Sequence, residues 1–297
     1  MQNNSTTAAT AIGFISIVLW GTLALLTKLT DGAIPPLQLM AMTFFLAYLG
    51  MQIRWLYQGE SGFRYLKQPK RVWLVGIGGY LSYHFCYFAA MARAPAVDVS
   101  LIAYLWPLFI VLFSTLLPGE NLKVKHTLGA VLALTGCALI ITQGGNGLSS
   151  EYAAGYLFAA ACALIWSSYS VLTRLISQVS TGVVGWYCLF TAVLAAIAHL
   201  IFEQTVLPET SIQWIGIVGL ALGPMGLAFF TWDYGMKRGN IQLLGVLSYS
   251  APLISTLLLV LFTDERLTKT LLVACLLIVI GSVIAGVKFE KKAHIKT

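Results

Sequence analysis

Charged side chains are scarce in this sequence. Of its 297 residues, 10% are Asp, Glu, Lys or Arg, whereas 58% are hydrophobic, and the mean hydropathy is +0.83. A soluble protein carries about 25% charged residues, so this chain holds too few to cover a globule of its size. The shortage excludes a soluble enzyme with a single core and indicates a membrane protein with little chain outside the bilayer.

Patterns that bind metals or nucleotides are missing as well. The five cysteines form no C-x-x-C pair and have no histidine at ligand spacing; they are Cys86, Cys137, Cys162, Cys188 and Cys275. All stand in apolar stretches, which favours a packing role over a zinc site or a disulfide framework. Gly144 to Gly147 lack the lysine of a phosphate loop and are predicted to form a turn. We therefore expect no metal, no cofactor and no ATP hydrolysis by this chain.

Long hydrophobic runs fill most of the chain. A spanning helix needs about 20 apolar residues, and ten windows meet this requirement: Ala9 to Lys28, Pro36 to Leu56, Val72 to Met91, Val97 to Leu117, Thr127 to Thr142, Gly155 to Ile176, Val183 to Phe202, Ile212 to Tyr234, Ile241 to Phe262 and Leu267 to Val287. The sequence thus predicts an all-α polytopic membrane protein with ten transmembrane helices in the lipid bilayer. Met1 to Thr10 hold no Lys or Arg, so the first helix is predicted to be retained rather than cleaved as a signal peptide.

The distribution of Lys and Arg predicts the orientation. With a cytoplasmic N-terminus, fourteen of them fall on the cytoplasmic side: Arg54, Arg64, Lys67, Lys70, Arg71, Lys123, Lys125, Arg174, Lys237, Arg238, Lys288, Lys291, Lys292 and Lys296. Four fall on the other side, namely Lys28, Arg93, Arg266 and Lys269. Because this bias sets the topology, we predict ten spans with both termini in the cytoplasm. The net charge of +7 has the same origin, and no nucleic-acid partner is expected.

The second half of the sequence repeats the first. At a shift of 145 residues the matching pieces are Ala103–Leu108 with Ser248–Leu253, Glu120–Leu122 with Glu265–Leu267, Gly136 with Gly281, and Met91 and Arg93 with Met236 and Arg238. At a shift of 146, Trp20, Thr27 and Lys28 meet Trp166, Thr173 and Arg174. We predict two five-helix repeats, residues 1–147 and 148–297, in one membrane domain. An odd number of helices per repeat inverts the second copy in the membrane, which places a site near the midplane between the halves.

These features resemble a known group of transporters. Each half has a proline-bearing helix, then Glu-x-Leu (Glu120 and Leu122; Glu265 and Leu267), then a glycine-containing final helix, as in the EamA-type drug/metabolite transporter superfamily. The run Tyr104-Leu105-Trp106-Pro107, with Ser82-Tyr83 and Trp20, resembles more narrowly the YddG-type aromatic amino acid exporters. The resemblance implies a secondary exporter in a bacterial inner membrane, with Trp20, Tyr104, Trp106 and Tyr249 completing the lining of its cavity.

Glycine and proline recur at equivalent positions in the two halves. The pairs at a shift of 145 are Gly78 with Gly223, Gly79 with Pro224, and Pro107 with Pro252. Paired interruptions in the third and eighth helices, and in the fourth and ninth, are typical of a transporter cavity. Greater use of Gly and Pro in membrane helices is the alternative explanation. We predict that these six residues act as hinges during alternating access.

Aromatic residues form stripes at helical spacing. Tyr80, Tyr83, His84 and Tyr87 stand at i, i+3, i+4 and i+7 in the third helix, and Trp166, Tyr169, Ser170 and Thr173 repeat that spacing in the sixth. Ordinary packing is the alternative, but phenol, indole and imidazole groups near mid-helix cannot be satisfied by lipid. We expect these stripes to face a wet interior and to bind a flat amphipathic solute by stacking and cation–π contacts.

Buried ionisable groups are few. His84 stands well inside a helix, where it could bind a carboxylate, change charge near neutral pH, or pack as a neutral ring. Lys28, Arg93, Asp98, Asp233 and Arg174 stand toward helix ends, where we expect them to reach the interface. Without deep charges, we predict facilitated export of aromatic amino acids or similar metabolites, uncoupled or weakly coupled to protons.

Other solutes and other classes of protein are alternatives to this hypothesis. A nucleotide-sugar or a cationic drug could use the same architecture, but a diphosphate requires buried Lys or Arg. A membrane-embedded enzyme requires a nucleophile with a base, a carboxylate pair or a metal cluster at membrane depth. A channel requires charged rings or filter loops. The sequence shows none of these features, which favours the transporter over the enzyme and the channel.

Overall fold

A computed structural model describes residues 2–142, 149–262 and 268–286 of the chain. In these ranges the fold is helical and contains no strand. The predicted turns at Gly144 to Gly147 and at Glu265 to Leu267, the end of the tenth window at Val287 and the four C-terminal lysines lie outside the described residues.

Fourteen α-helices follow one another in the described part of the chain. They are α1 Gln2–Gly21, α2 Leu23–Leu29, α3 Pro36–Tyr57, α4 Lys70–Met91, α5 Ala96–Ala103, α6 Trp106–Phe113, α7 Val124–Thr142, α8 Ala153–Leu175, α9 Val184–Phe202, α10 Ser211–Leu222, α11 Ala228–Arg238, α12 Ile241–Leu247, α13 Ser250–Phe262 and α14 Lys269–Gly286. Each predicted window overlaps one helix or two consecutive helices. The expectation of an all-helical chain is therefore confirmed for the described residues.

Nine helical stretches of the described chain are long and apolar enough to cross a membrane. They are Ser5–Leu29, Pro36–Tyr57, Asp98–Leu116, Val124–Thr142, Ser150–Leu175, Thr181–Phe202, Ser211–Arg238, Ile241–Phe262 and Lys269–Gly286. The 22-residue helix α4 is as long as the others, but its glycines, tyrosines and His84 lower its hydropathy. The chain is a multi-pass membrane protein.

The helices pack in pairs that join the two halves of the chain. Helix α1 packs on α11, α4 on α8, α3 on α9, α6 on α12 and α7 on α14. The backbones of α7 and α14 approach closely, because a methyl group added to Gly129 would lie 2.5 Å from the carbonyl oxygen of Gly281. One added to Gly136 would lie 2.7 Å from the carbonyl oxygen of Ala274. Small residues let the two backbones touch along this line.

Four of the membrane stretches are interrupted. Thr22 separates α1 from α2, residues 104–105 separate α5 from α6, a π-helical segment Gly223–Leu227 separates α10 from α11, and residues 248–249 separate α12 from α13. The interruptions of the predicted fourth and ninth helices lie at equivalent positions, each followed within three residues by a proline, Pro107 or Pro252. At residues 248–249 the irregular backbone lies inside the protein, as lipid surroundings require, since Ser248 and Tyr249 are both fully buried.

The expected interruption of the third helix is wrong. Helix α4 runs without a break through Gly78 and Gly79. Gly79 serves close packing instead, since an added methyl group would lie 2.8 Å from the ring of Tyr169. Glycine is tolerated in membrane helices, so a glycine pair by itself does not end one.

The outer surface is apolar on every side. Leu56, Leu74, Leu157, Leu200 and Leu261 lie on five different helices, and each is at least 73% exposed. A water-exposed surface of this kind would aggregate, whereas acyl chains solvate it without cost. Aromatic residues concentrate in the interior, where Tyr80, Tyr187 and Trp232 are fully buried.

Candidate functional site

The indole rings of Trp20 and Trp166 meet at the centre of the bundle. Trp20 lies in the last turn of α1 and Trp166 in the middle of α8, with ring centroids 5.7 Å apart in an edge-to-face arrangement. The Trp20 indole N–H donates a hydrogen bond of 3.1 Å to the carbonyl of Pro224 in the π segment. The irregular backbone of this segment thus offers an acceptor to a ring of the opposite half.

Helix α11 adds two rings to this centre. The Trp232 ring lies 5.1 Å from Trp20 and 5.7 Å from Trp106, and its indole N–H donates a 3.0 Å hydrogen bond to the hydroxyl of Ser170. The Phe229 ring lies 5.7 Å from Trp166. All three tryptophan rings around Trp20 are held by contacts from more than one helix, which fixes their orientation.

The predicted stripe of α4 faces the same centre. The Tyr80 ring lies 4.6 Å from Phe229 and 5.3 Å from Tyr169, and the hydroxyl of Tyr169 is 3.4 Å from that of Tyr80. The Tyr83 ring lies 5.4 Å from Trp166 and stacks on Tyr87 at 6.2 Å. The helical spacing therefore placed these side chains on one inward face.

His84 is buried within this stripe, with 6% of its surface exposed. Its Nδ1 lies 2.7 Å from the carbonyl oxygen of Tyr80, so the N–H at Nδ1 donates to that carbonyl. The ring packs edge to face against Phe44 and Tyr83, both at 5.2 Å. This hydrogen bond fixes the imidazole against its own helix.

One connected set of rings includes eight of the ten residues predicted to bind the solute. We call eleven rings of this set the central cluster: Trp20, Phe44, Tyr80, Tyr83, His84, Tyr87, Trp106, Trp166, Tyr169, Phe229 and Trp232. Tyr187 and Phe88 contact its edge, at Tyr80 and at His84. Neighbouring rings contact one another directly. Such a surface offers stacking, edge-to-face contacts and a few N–H and O–H groups to a flat solute.

Tyr104 and Tyr249 lie elsewhere. They pack against α7 and α14 with apolar neighbours such as Val111 and Cys137. The Tyr249 hydroxyl accepts a 3.1 Å hydrogen bond from the backbone N–H of Leu108, in the first turn of α6. This bond satisfies a backbone group at the interruption before α6. In the described residues, neither tyrosine makes a ring contact with the central cluster.

Sequence reasoning missed three members of the central cluster. Phe44, Phe229 and Trp232 were not among the predicted residues, although Phe229 and Trp232 stand three residues apart, the spacing that identified Tyr80 and Tyr83. The spacing of Phe229 and Trp232 is therefore enough to predict that both face the same side of α11. Phe44 stands on α3 in an ordinary apolar run and carries no such signal.

Next to Trp232 lies a buried ion pair that the sequence did not predict. The Lys237 ammonium is 2.9 Å from the Asp233 carboxylate, and their side chains are 2% and 1% exposed. Thr181 donates a 2.6 Å hydrogen bond to the same carboxylate oxygen, while the ammonium also donates to the carbonyl of Val179 at 2.9 Å. The expectation that Asp233 reaches the interface is wrong, because the connection from α8 to α9 covers it.

Arg174 extends this polar network. Its guanidinium donates to the carbonyl oxygens of Met236 and Gly239, both at 3.0 Å, and forms a 3.1 Å salt bridge with Glu120. Thr10 on α1 accepts a 2.8 Å hydrogen bond from the backbone N–H of Asn240. At this end of the bundle, α1, α8, α11 and the start of α12 are therefore tied together.

Gly78 and Gly79 line a groove of about 370 Å³ between α4 and α8 that reaches Tyr169. The groove opens on the outer surface. In the described residues, no group of three or more His, Cys, Asp or Glu could hold a metal ion. The chemistry available at the centre is therefore that of aromatic contact and hydrogen bonding.

The fold and the central cluster define a multi-pass helical membrane protein with an aromatic interior. The model of the EamA-like transporter family matches the chain twice, over residues 7–142 and 153–287. The chain belongs to the EamA-like transporter family of the drug/metabolite transporter superfamily, and the predicted resemblance is confirmed.

Individual relatives agree with this assignment. The chain is 50% identical to the aromatic amino acid exporter YddG of Ancylobacter novellus, covering 95% of this chain and 98% of the relative. It is 27% identical to the exporter of the same name from Salmonella typhimurium, over 96% of this chain and 98% of that one. A solved crystal structure, 49% identical, superposes with a TM-score of 0.91 over 95% of this chain and 97% of its own.

Proposed function

We propose that this protein exports aromatic amino acids or similar flat, amphipathic metabolites across the bacterial inner membrane. The observation that carries the proposal is the meeting of Trp20 and Trp166, from opposite halves, inside one cluster of aromatic rings. Each ring pair contributes about 0.5–1.5 kcal/mol beyond its buried area, and indole or phenyl solutes can make the same contacts. An α-ammonium group would gain cation–π attraction from these rings. The aromatic amino acid exporters similar to this chain support the choice of solute.

The proposed mechanism is alternating access between two inverted repeats, residues 1–147 and 148–297. The helix contacts support it, because exchanging the halves turns the α1–α11 contact into the α8–α4 contact. The Gly129–Gly281 approach similarly turns into the Ala274–Gly136 approach at a shift of 145. In this arrangement α4 also crosses the membrane, which brings the nine apolar stretches to ten spans. Both termini then lie in the cytoplasm.

Several of the proposed hinges lie beside the central cluster. Pro107 follows Trp106 in the first turn of α6, and Pro252 holds the equivalent place in α13. Gly223 and Pro224 belong to the π segment that binds Trp20. Bending at these points would separate rings that now touch. Gly78 and Gly79 remain hinge candidates within an unbroken helix.

We propose facilitated export without strong proton coupling and without enzyme activity. The buried charges beside the central cluster, Asp233 and Lys237, neutralise each other. Transport that follows an imposed pH gradient over and above the solute gradient would overturn this part of the proposal.

Counterflow in proteoliposomes tests the function. Purified protein is reconstituted, and exchange of radiolabelled Trp and Phe is compared with exchange of Asp and Lys. We expect saturable exchange of the aromatic amino acids, reduced at least tenfold by Trp166→Ala, which removes ring contacts to five neighbours of the central cluster. Trp214→Ala is the matched control, because this tryptophan is 45% exposed on α10 and belongs to no described ring contact. Equal passage of all four amino acids would identify a pore, and exchange unaffected by Trp166→Ala would reject the site.

A further inference from the structure

A second groove lies at the end of the bundle that carries most of the Lys and Arg. It measures about 460 Å³ and is separate from the central cluster. Its lining comes from α1, α3, α10, the π segment, α11 and the 3-10 turn Thr181–Val183 before α9; it consists of Ile12, Ala47, Gly50, Met51, Arg54, Thr181, Ala221, Leu222, Gly226, Leu227, Phe230, Thr231 and Tyr234. The groove opens outward.

Two arginines lie at this end of the groove: Arg54 lines it, and Arg238 stands one helical turn beyond the lining residue Tyr234. Arg54 lies in the last turn of α3 and is exposed, and its guanidinium lies 3.7 Å from the sulfur of Met51. Arg238 ends α11, and its guanidinium lies 5.0 Å from the ring centre of Tyr234, which lines the groove. Neither arginine forms an ion pair with a carboxylate in the described part of the chain. The mouth therefore presents two positive charges that the protein itself does not neutralise.

The groove becomes apolar with depth. Ala47, Gly50, Leu222 and Leu227 line its deeper part. From Arg54 to Ala47 is seven residues of helix, or about 10 Å along its axis. One leaflet of the hydrocarbon core is about 15 Å thick, so the groove covers much of the depth that an acyl chain occupies.

The two threonine hydroxyls in the lining already have partners. Thr181 donates to Asp233, and Thr231 donates to the carbonyls of Leu227 and Ala228 on its own helix. A solute with several polar groups would find few free partners inside, whereas an alkyl chain needs none. The positive charge is confined to the mouth, where a single anionic group would lie.

We propose that this groove binds one anionic phospholipid, with its phosphate at Arg54 and Arg238 and one acyl chain in the groove. Basic pockets between membrane helices bind anionic head groups by charge, and the attraction is worth about fivefold in affinity for each arginine near the surface. The groove at Gly78 provides the contrast: its lining contains no charged residue. Of these two grooves, the one at Arg54 alone combines an apolar interior with a basic mouth.

Lipid titration followed by native mass spectrometry tests the proposal. Full-length protein in a neutral detergent is titrated with phosphatidylglycerol and, separately, with phosphatidylcholine of the same acyl chains. We expect one phosphatidylglycerol to bind more tightly than the rest, and we expect Arg54→Gln with Arg238→Gln to weaken it about 25-fold. Arg71→Gln is the matched control, because it removes a charge from the same end but outside the groove, and it should leave this affinity unchanged.

The acyl-chain part of the proposal has its own pair of variants. A methyl group added to Gly50 meets only the Leu222 side chain, at an ordinary 3.5 Å, so larger side chains fit there by filling the groove. Gly50→Leu should abolish the tight lipid, whereas Gly50→Ala should keep most of it. Unchanged melting temperatures for both variants exclude unfolding as the cause.

Several results would overturn the proposal. Equal affinity for phosphatidylcholine would mean unspecific annular lipid, and displacement by glycerol phosphate alone would mean an anion site without an acyl chain. Retained phosphatidylglycerol in the double arginine variant would place the lipid elsewhere. A dimer that forms through this face in place of bound lipid would make a second copy of the chain the occupant.

Discussion

Asp233 and Lys237 stand four residues apart on α11 and form an ion pair of 2.9 Å that is shielded from solvent. The neighbouring residue, Trp232, contacts Trp20 in the central cluster. The pair is held from the other side by Thr181 and by the carbonyl of Val179. One turn of helix thus connects the rings to the polar network at the Lys- and Arg-rich end.

Removing one partner of this pair should destabilise the protein more than removing both. A buried charge left without its partner costs about 3–5 kcal/mol, whereas a neutral, well-packed replacement of both is close to neutral. Asp233→Asn and Lys237→Met should each lower the unfolding temperature in detergent, and the double variant should recover most of the loss. Additive losses in this double-mutant cycle would show that the two groups do not interact.

The two glycines of α4 should differ in their tolerance of a methyl group. Gly79→Ala places a carbon 2.8 Å from the Tyr169 ring and should cost about 1–3 kcal/mol of stability by overpacking. Gly78→Ala meets nothing closer than a Leu74 methyl group at 4.0 Å and should retain the parental unfolding temperature. Thermal unfolding of the two variants in one detergent checks this difference.

The same variants also examine the proposed hinge. Loss of transport in Gly78→Ala at unchanged stability supports bending at this position, because the substitution then acts on motion rather than on packing. Full transport by the double variant Gly78→Ala with Gly79→Ala would remove the hinge hypothesis for α4.

The inverted repeat predicts opposite exposure of two equivalent connections. Ala33, between α2 and α3, and Gln178, between α8 and α9, are 145 residues apart and both exposed. Ala33→Cys should react with a membrane-impermeant maleimide from outside intact cells, and Gln178→Cys should react only after the cells are opened. The parent protein, whose five native cysteines lie within helices, gives the background. Labelling of both positions from the same side would mean that the two halves have the same orientation.

The inward face of α4 could be predicted from the sequence because helical spacing alone brings Tyr80, Tyr83 and Tyr87 to one side. The buried position of Asp233 could not be judged from its distance to the helix end. Its burial depends on Thr181 and Val179, which arrive from a connection more than 50 residues away. The opposite charge at Lys237, one turn further on, was the local signal that favoured a buried pair.

Gly78 and Gly79 show a related limit. A glycine pair weakens a helix in water, where unpaired backbone groups are solvated, but surroundings of protein and lipid offer those groups no alternative partner. Helix α4 therefore stays intact. The break before α6 forms where Tyr249 supplies a partner for a freed backbone group, and that partner is 141 residues distant.

Gly129 and Gly281 bring the backbones of α7 and α14 into direct contact, and Gly136 does the same at Ala274. With no side chains between them, the two helices can neither approach further nor slide past each other without collision. Alternating access of the kind proposed would therefore leave the distance between these two helices unchanged. Spectroscopic labels placed on these two helices would give a constant reference distance, with which changes in distance between other helices can be compared.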